Sequence, residues 1–183
     1  GGAYSFSGGL HGVGVSVTNA LARRLEVTVD REGRVATIAF AQGDVIEPLA
    51  LRKAGAGDRR QGTTVRVWPE PKYFDSVDLP RADLMHLLRS KAVLMPGVTV
   101  TLAVEKGGHA ETTTWQFKGG LADYLMQTLA AEPVVPLFEG EQYATGSEAE
   151  NVAEGEGAAW CVAFTEDGAA VRESYVNLIP TVA

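Results

Sequence analysis

Tyr4–Leu21 reads YSFSGGLHGVGVSVTNAL, a glycine-rich run that passes without a break into helical periodicity. Gly9, Gly12 and Gly14 fall in the spacing G-x-x-G-x-G. Glycine lets a backbone approach an anion closely and adopt positive φ. Exposed N–H groups ahead of a helix N-terminus suit an anion by geometry and by dipole. A phosphate is therefore the natural guest of Ser7–Gly14. The spacing is neither the dinucleotide fingerprint G-x-G-x-x-G nor a Walker A loop, since no Gly-Lys-Ser/Thr follows. Spacing alone is equally consistent with a tight structural turn.

Val13, Val17, Ala20 and Leu21 predict a helix from about Gly14 to Arg24, with Arg23 and Arg24 in its last turn. Leu25, Val27 and Val29 alternate with polar residues and predict a half-buried strand. Turns at Arg31-Glu32-Gly33 and Gln42-Gly43-Asp44 lead into strands through Ala36–Phe40 and Val45–Leu51, an antiparallel meander. Residues 52–61 read as a polar loop whose four basic residues either reach a phosphate or only solvate the surface. Thr63, Val65 and Val67 mark a fourth strand. A helix over about Pro80–Leu94 has a stripe of Leu84, Leu87 and Leu88. A hairpin of Val98–Val104 and Thr112–Phe117 follows, then a helix over Gly120–Ala130. Beyond Glu132-Pro133 the texture changes. Residues 139–157 read as an acidic loop, and Ala159–Phe164 with Val171–Leu178 as a hairpin. These elements predict an α+β fold, a two-layer sandwich, with a domain boundary placed between 1–130 and 131–183.

Of 183 residues, 45% are apolar and 21% charged, as in ordinary globular proteins. The net charge of −7 comes mostly from 139–157, which holds six Glu and no Lys or Arg. The remainder is near neutral and offers no strong electrostatic platform for DNA. The single cysteine, Cys161, excludes an internal disulfide and reads as a buried strand residue. A reducing, cytoplasmic compartment fits. No apolar run approaches the ~18 residues of a membrane span. The start at Gly1-Gly2 lacks both a Met and a signal-peptide pattern, so the sequence reads as an excised piece.

His11 sits in the glycine loop, where a side-chain donor can meet a phosphate oxygen. His86 and His109 have no partner at metal-ligand spacing and read as surface residues. No general base for hydrolysis is identifiable. Thr63 follows Gly62, and alternation puts Val65 on its face. From spacing alone, Thr63 is either a packed sheet residue or a site residue.

Tyr4–Leu21 resembles the phosphate loop and following helix of bacterial type II topoisomerase ATPase subunits, which are GHKL or Bergerat-fold ATPases. Gly62–Phe74 (GTTVRVWPEPKYF) and Ser174–Thr181 (SYVNLIPT) resemble the same family. Phe74–Ser76, Lys91–Val98 (KAVLMPGV) and SYVNLIPT lean toward the topoisomerase IV branch over the gyrase branch. The resemblance implies the second half of a Bergerat ATPase domain with the end of its ATP lid, followed by the first strands of a transducer domain. It implies that the backbone amides of Gly9, Leu10, His11, Gly12, Val13 and Gly14 hold the β- and γ-phosphates of ATP, with Val15 at the edge. It places Thr63 in the network that recognises adenine, Val65 in the same pocket, and Tyr4 on the lid. The family's catalytic Glu, its Mg2+-binding Asn and its adenine-reading Asp match nothing here, so this piece alone is expected to be inactive. The implied cofactors are ATP and Mg2+. The implied partners are DNA, the A subunit of a topoisomerase IV-type enzyme, a second B subunit in an ATP-dependent homodimer, and ATP-competitive inhibitors. The other reading is a GHKL nucleotide clamp of chaperone or mismatch-repair type.

Overall fold

The computed structural model describes residues 13–58, 61–144, 156–167 and 171–181. They divide into two compact units, which meet in sequence at Leu79 and Pro80. Among the described residues no helix is long and apolar enough to cross a membrane.

In the first unit a short helix, α1 (Gly14–Ala20), leads into β1 (Ala22–Arg31), β2 (Arg34–Ala41), β3 (Asp44–Lys53) and β4 (Gly62–Pro69). The sheet order is β3-β2-β1-β4, with every pairing antiparallel. The meander runs as its alternation predicts, and β4 returns to the free side of β1. The first helix is shorter than its periodicity predicts. Arg23 and Arg24 open β1 instead of closing α1, because Ala22 is already fully buried against the sheet and a bulge between Ala22 and Arg24 re-aims the strand. Arg24 then bonds Glu26 and Glu47, both at 2.6 Å. Arg52 forks onto Asp58 at 2.5 and 2.6 Å, and the Gly55 N–H donates to the same carboxylate.

In the second unit α2 (Arg81–Leu94) precedes the hairpin of β5 (Val100–Lys106) and β6 (His109–Trp115), then α3 (Gly120–Thr128). Its core is Ala92, Val93, Phe117 and Tyr124, with Val100, Trp115 and Leu121 packed around it. The expected leucine stripe of α2 is not its most buried face: Leu87 is exposed, while Ser90, Ala92 and Val93 are buried. Ser90 tolerates this because its hydroxyl donates to the His86 carbonyl at 2.8 Å.

The third segment departs most from expectation. Phe138–Tyr143 is a strand, β7, paired with β8 (Gly157–Val162), and β8 does not pair with Val171–Leu178. The pairing needs a glycine at position 140: a Cβ there would lie 2.5 Å from the Trp160 ring. Cys161 lies half-buried in β8, where burial and then Glu139 push its thiol pKa up, so it is a poor nucleophile. Val171–Leu178 instead supplies β9 (Tyr175–Val176), which turns back into β10 (Ile179–Pro180).

Among the described residues four hairpins turn on two residues that both have positive φ: Glu32-Gly33, Gln42-Gly43, Gly107-Gly108 and Asn177-Leu178. This is the turn whose twist matches the flanking strands. Three of them put Gly at the second position. The fourth puts Leu178 there at φ 68°, a strain of roughly 1–2 kcal/mol for a side chain with a Cβ. Leu178→Gly is therefore expected to leave stability level or raise it by up to ~1 kcal/mol, whereas truncating a half-buried leucine ordinarily costs stability. Urea unfolding of the variant checks the sign.

Candidate functional site

Tyr4, Gly9, Leu10, His11 and Gly12 lie outside the described residues. The described part of the anticipated phosphate site begins at Val13, which takes the N-cap position of α1 and has no side-chain cap bond. The first helical bond runs from the Val17 N–H to the Val13 carbonyl at 2.9 Å. The N–H groups of Gly14, Val15 and Ser16 precede that bond and have no partner in the helix, as at any helix start. No acidic side chain lies in this turn, and Val13 and Val15 are exposed. An anion is what such an end accepts.

Gly14 has helical rather than positive φ, and a Cβ built on it meets nothing within 4 Å. A need for special backbone geometry therefore does not apply at Gly14. Any need for glycine there comes from outside the described chain. Asn19, on the same helix, was not singled out by sequence reasoning. Its Oδ1 is enclosed without a hydrogen-bond partner among the described residues, and no signal in the sequence marks it.

Thr63 and Val65 are set by the register of β4. Thr63 lies opposite Val29 and Val65 opposite Val27, while β2 continues the same rows with Ala36 and Ile38. The next row is Val67, Leu25 and Phe40. Directly paired residues share a sheet face. Thr63 is thus the single polar side chain on an otherwise apolar set of rows. The other face holds Thr28, Thr37 and Thr64, and Glu26 between Arg24 and Arg66. There Glu47, and then Glu26, raise the Arg24 pKa further.

Spacing allowed Thr63 to be a packed sheet residue, and its side chain is not packed. Thr63 and Val65 are both exposed, Val65 by 54%, on β4 at the edge of the sheet, whereas Leu25 on the neighbouring strand is buried. An apolar ring laid over Val65 would supply the missing burial, with Thr63 at its margin.

The remaining candidates come to less. Arg52, one of the four basic residues read as either reaching a phosphate or only solvating the surface, is committed to Asp58, whose pKa is held well below the usual carboxylate range by Arg52 and then by the Gly55 N–H. Lys53 is exposed, and Arg59 and Arg60 lie outside the described residues. His86 contacts Arg89 at 3.2 Å on the surface of α2, and His109 is exposed in β6. No cluster of His, Cys, Asp and Glu among the described residues could hold a metal ion.

No protein-family model matches the chain. It is 41% identical over 186 aligned residues to the DNA topoisomerase 4 B subunit of Salmonella typhimurium, covering 98% of this chain and 27% of that protein. Against the protein of the same name from Pseudomonas aeruginosa it is 42% identical over 180 residues, covering 97% of this chain and 27% of that one. The chain thus spans about a quarter of the length of these relatives. Among solved structures, the topoisomerase IV ATP-binding domain of Francisella tularensis, in complex with a small-molecule inhibitor, superposes with a TM-score of 0.65 at 35% identity, covering 96% of this chain and 45% of that one. The 43K ATPase domain of Thermus thermophilus gyrase B, in complex with an aminocoumarin, gives 0.60 at 28% identity, covering 74% and 37%. By sequence and fold together, the chain belongs to the family of bacterial type II topoisomerase B subunits, with the GHKL ATPase fold.

Proposed function

We propose that the chain is the nucleotide-contacting segment of a type II topoisomerase B subunit, which uses ATP to drive passage of one DNA duplex through another. The observation that carries this is similarity in one register over nearly the whole chain to topoisomerase IV B subunits, together with the likeness to a solved ATP-binding domain. The uncapped start of α1 gives the reading a physical basis, because it is where a phosphate chain would sit. Backbone amides from Gly9 to Gly14 would hold the β- and γ-phosphates, Val15 the edge, and Thr63 and Val65 the adenine end, with Tyr4 on the lid. Mg2+ would bridge ATP oxygens through residues outside this set. In the complete enzyme the partners would be DNA, the DNA-cleaving A subunit of topoisomerase IV and a second B subunit, in the cytoplasm. Residues 131–183 would open the transducer domain. The topoisomerase IV reading is preferred to gyrase because that structural match covers 96% of the chain rather than 74%.

DNA relaxation and decatenation by the complete protein with its cleavage partner test the function. ATP-dependent negative supercoiling instead would assign it to the gyrase branch. For the site, Thr63→Val keeps the volume and removes the only hydroxyl in the apolar rows. It is expected to weaken ATP binding by roughly 1–3 kcal/mol, the usual cost of stranding a polar group that the ligand has buried. Val65→Ala should cost less for ATP and more for a bulky competitive inhibitor. Competition binding reads both, and wild-type affinity in Thr63→Val would return Thr63 to being an ordinary sheet residue.

A further inference from the structure

One row of the sheet, Gly62–Asp30–Val35–Arg52, takes a residue from each of its four strands. β3 and β4 form the two edges, so residues 54–61, which join them, have to cross β2 and β1. Paired residues share a face, which puts Arg52 with Asp30 on the side away from Thr63. The two inner positions of the row, Asp30 and Val35, are 5% and 0% exposed. Several contacts pin the connection on that side. The Ala54 N–H donates to the Gly33 carbonyl at 2.8 Å, beside the β1–β2 turn. Both oxygens of Asp58 accept from the Arg52 guanidinium. The Gly55 N–H donates to the same carboxylate at 2.6 Å, and the Asp58 N–H donates back to the Gly55 carbonyl at 3.2 Å. A surface ion pair is ordinarily worth little, but a forked one with an added backbone donor is the exception. Asp58, and to a smaller degree Asp30, raise the Arg52 pKa, so the guanidinium answers two carboxylates.

We propose that the Arg52–Asp58 staple is a positioning element of the nucleotide site: by pinning the crossing connection it fixes the start of β4, and with it the Thr63 hydroxyl. The proposal rests on the placement of Thr63 at the adenine end given above. Arg52 and Asp58 are positioning residues in this account and touch no nucleotide. Thr63 is the second residue of β4, and β4 pairs only with β1. The end of an edge strand is where a sheet opens first. Its anchor therefore has to come from the chain that leads into it. From Asp58 to Gly62 the chain can extend at most about 14 Å. That is comparable with the width of the four strands it crosses, three spacings or about 14 Å. Holding Asp58 thus leaves Gly62 and Thr63 little slack. Val65 and Val67 lie further along β4, paired with Val27 and Leu25, and depend on the staple less.

Hydrogen exchange and ATP titration on the complete B subunit test this. Arg52→Gln and Asp58→Asn are each expected to speed exchange of the amides in 62–65 about tenfold while those in 36–40 of β2 stay unchanged. Each is expected to weaken ATP binding about three- to tenfold, with kcat at saturating ATP within about twofold of wild type. A double-mutant cycle separates positioning from general loosening. Added to Thr63→Val, Asp58→Asn should weaken binding by less than about twofold, because the hydroxyl it positions has gone. Added to Val65→Ala, it should again cost about three- to tenfold. Full additivity with Thr63→Val, wild-type affinity in both staple variants, or equal acceleration of exchange in β2 would overturn the proposal. If Thr63→Val itself binds ATP as wild type does, the adenine placement fails and the link to nucleotide with it, while exchange in 62–65 still decides whether the staple holds β4.

Discussion

The 183-residue chain on its own is expected to hydrolyse ATP no faster than the uncatalysed background. Hydrolysis needs a group that orients and deprotonates the attacking water, and such help is typically worth ~10²–10⁴-fold. The apolar rows around Thr63 contain no carboxylate. Elsewhere in the sheet unit Glu26 and Glu47 are committed to Arg24, Glu32 to Arg31 and Asp58 to Arg52, and the structure brings neither Asp44, Glu70, Asp75 nor Asp78 into the rows that hold Thr63. Asp30 is buried, and the register puts it on the opposite face from Thr63. Steady-state phosphate release from the purified chain, beside that of a complete B subunit, measures this. Comparable turnover would mean that one of these carboxylates, or His11, acts as the base.

The strands were legible in the sequence where alternation and turn chemistry agree. Val27 and Val29 alternate with polar neighbours, and Glu32-Gly33 and Gln42-Gly43 are turns that glycine announces. The errors share a cause: a local signal outweighed by pairing or packing. Leu21 continues a helical spacing, yet the chain is already pairing by Ala22. Glu139 and Glu141 suggested a solvated acidic loop, but a two-stranded hairpin open to water on one face tolerates carboxylates at alternate positions. Asn177 suits the first position of its turn, but Leu178 is a residue the second position disfavours, and the lysine that bonds its carbonyl lies 87 positions away. The site was legible in part. Glycine spacing marks an anion loop without choosing between ligand and turn, and only the resemblance chose. The isolation of Thr63 on an apolar face cannot be read from β4 alone. It depends on which residues of β1 and β2 stand opposite, which is a matter of register.

Gly14→Ala in the complete protein is expected to lower ATP affinity by about a hundredfold or more while leaving the fold as stable as wild type or slightly more so. The two effects have opposite signs for separate reasons. Within the chain the substitution is benign: φ at Gly14 is helical, nothing lies within 4 Å of the added Cβ, and alanine is the better helix former by up to ~1 kcal/mol. Toward the phosphates it is not benign. A methyl group at the first residue of α1 would hold an anion away from the unpaired N–H groups of Gly14, Val15 and Ser16. Charge-assisted hydrogen bonds are worth roughly 1.5–3 kcal/mol each, so losing one or two of them accounts for ~100-fold. Gly12→Ala should bind as poorly, but its stability effect has no described geometry behind it. Gly14 is therefore the sharper test. Nucleotide titration and thermal melting of the same preparation read both quantities. Reduced affinity in a destabilised protein would point to a structural glycine. Unchanged affinity in a well-folded one would remove the start of α1 from the phosphate site. Weak binding at full or raised stability is the result that only a ligand approaching Gly14 closely would produce.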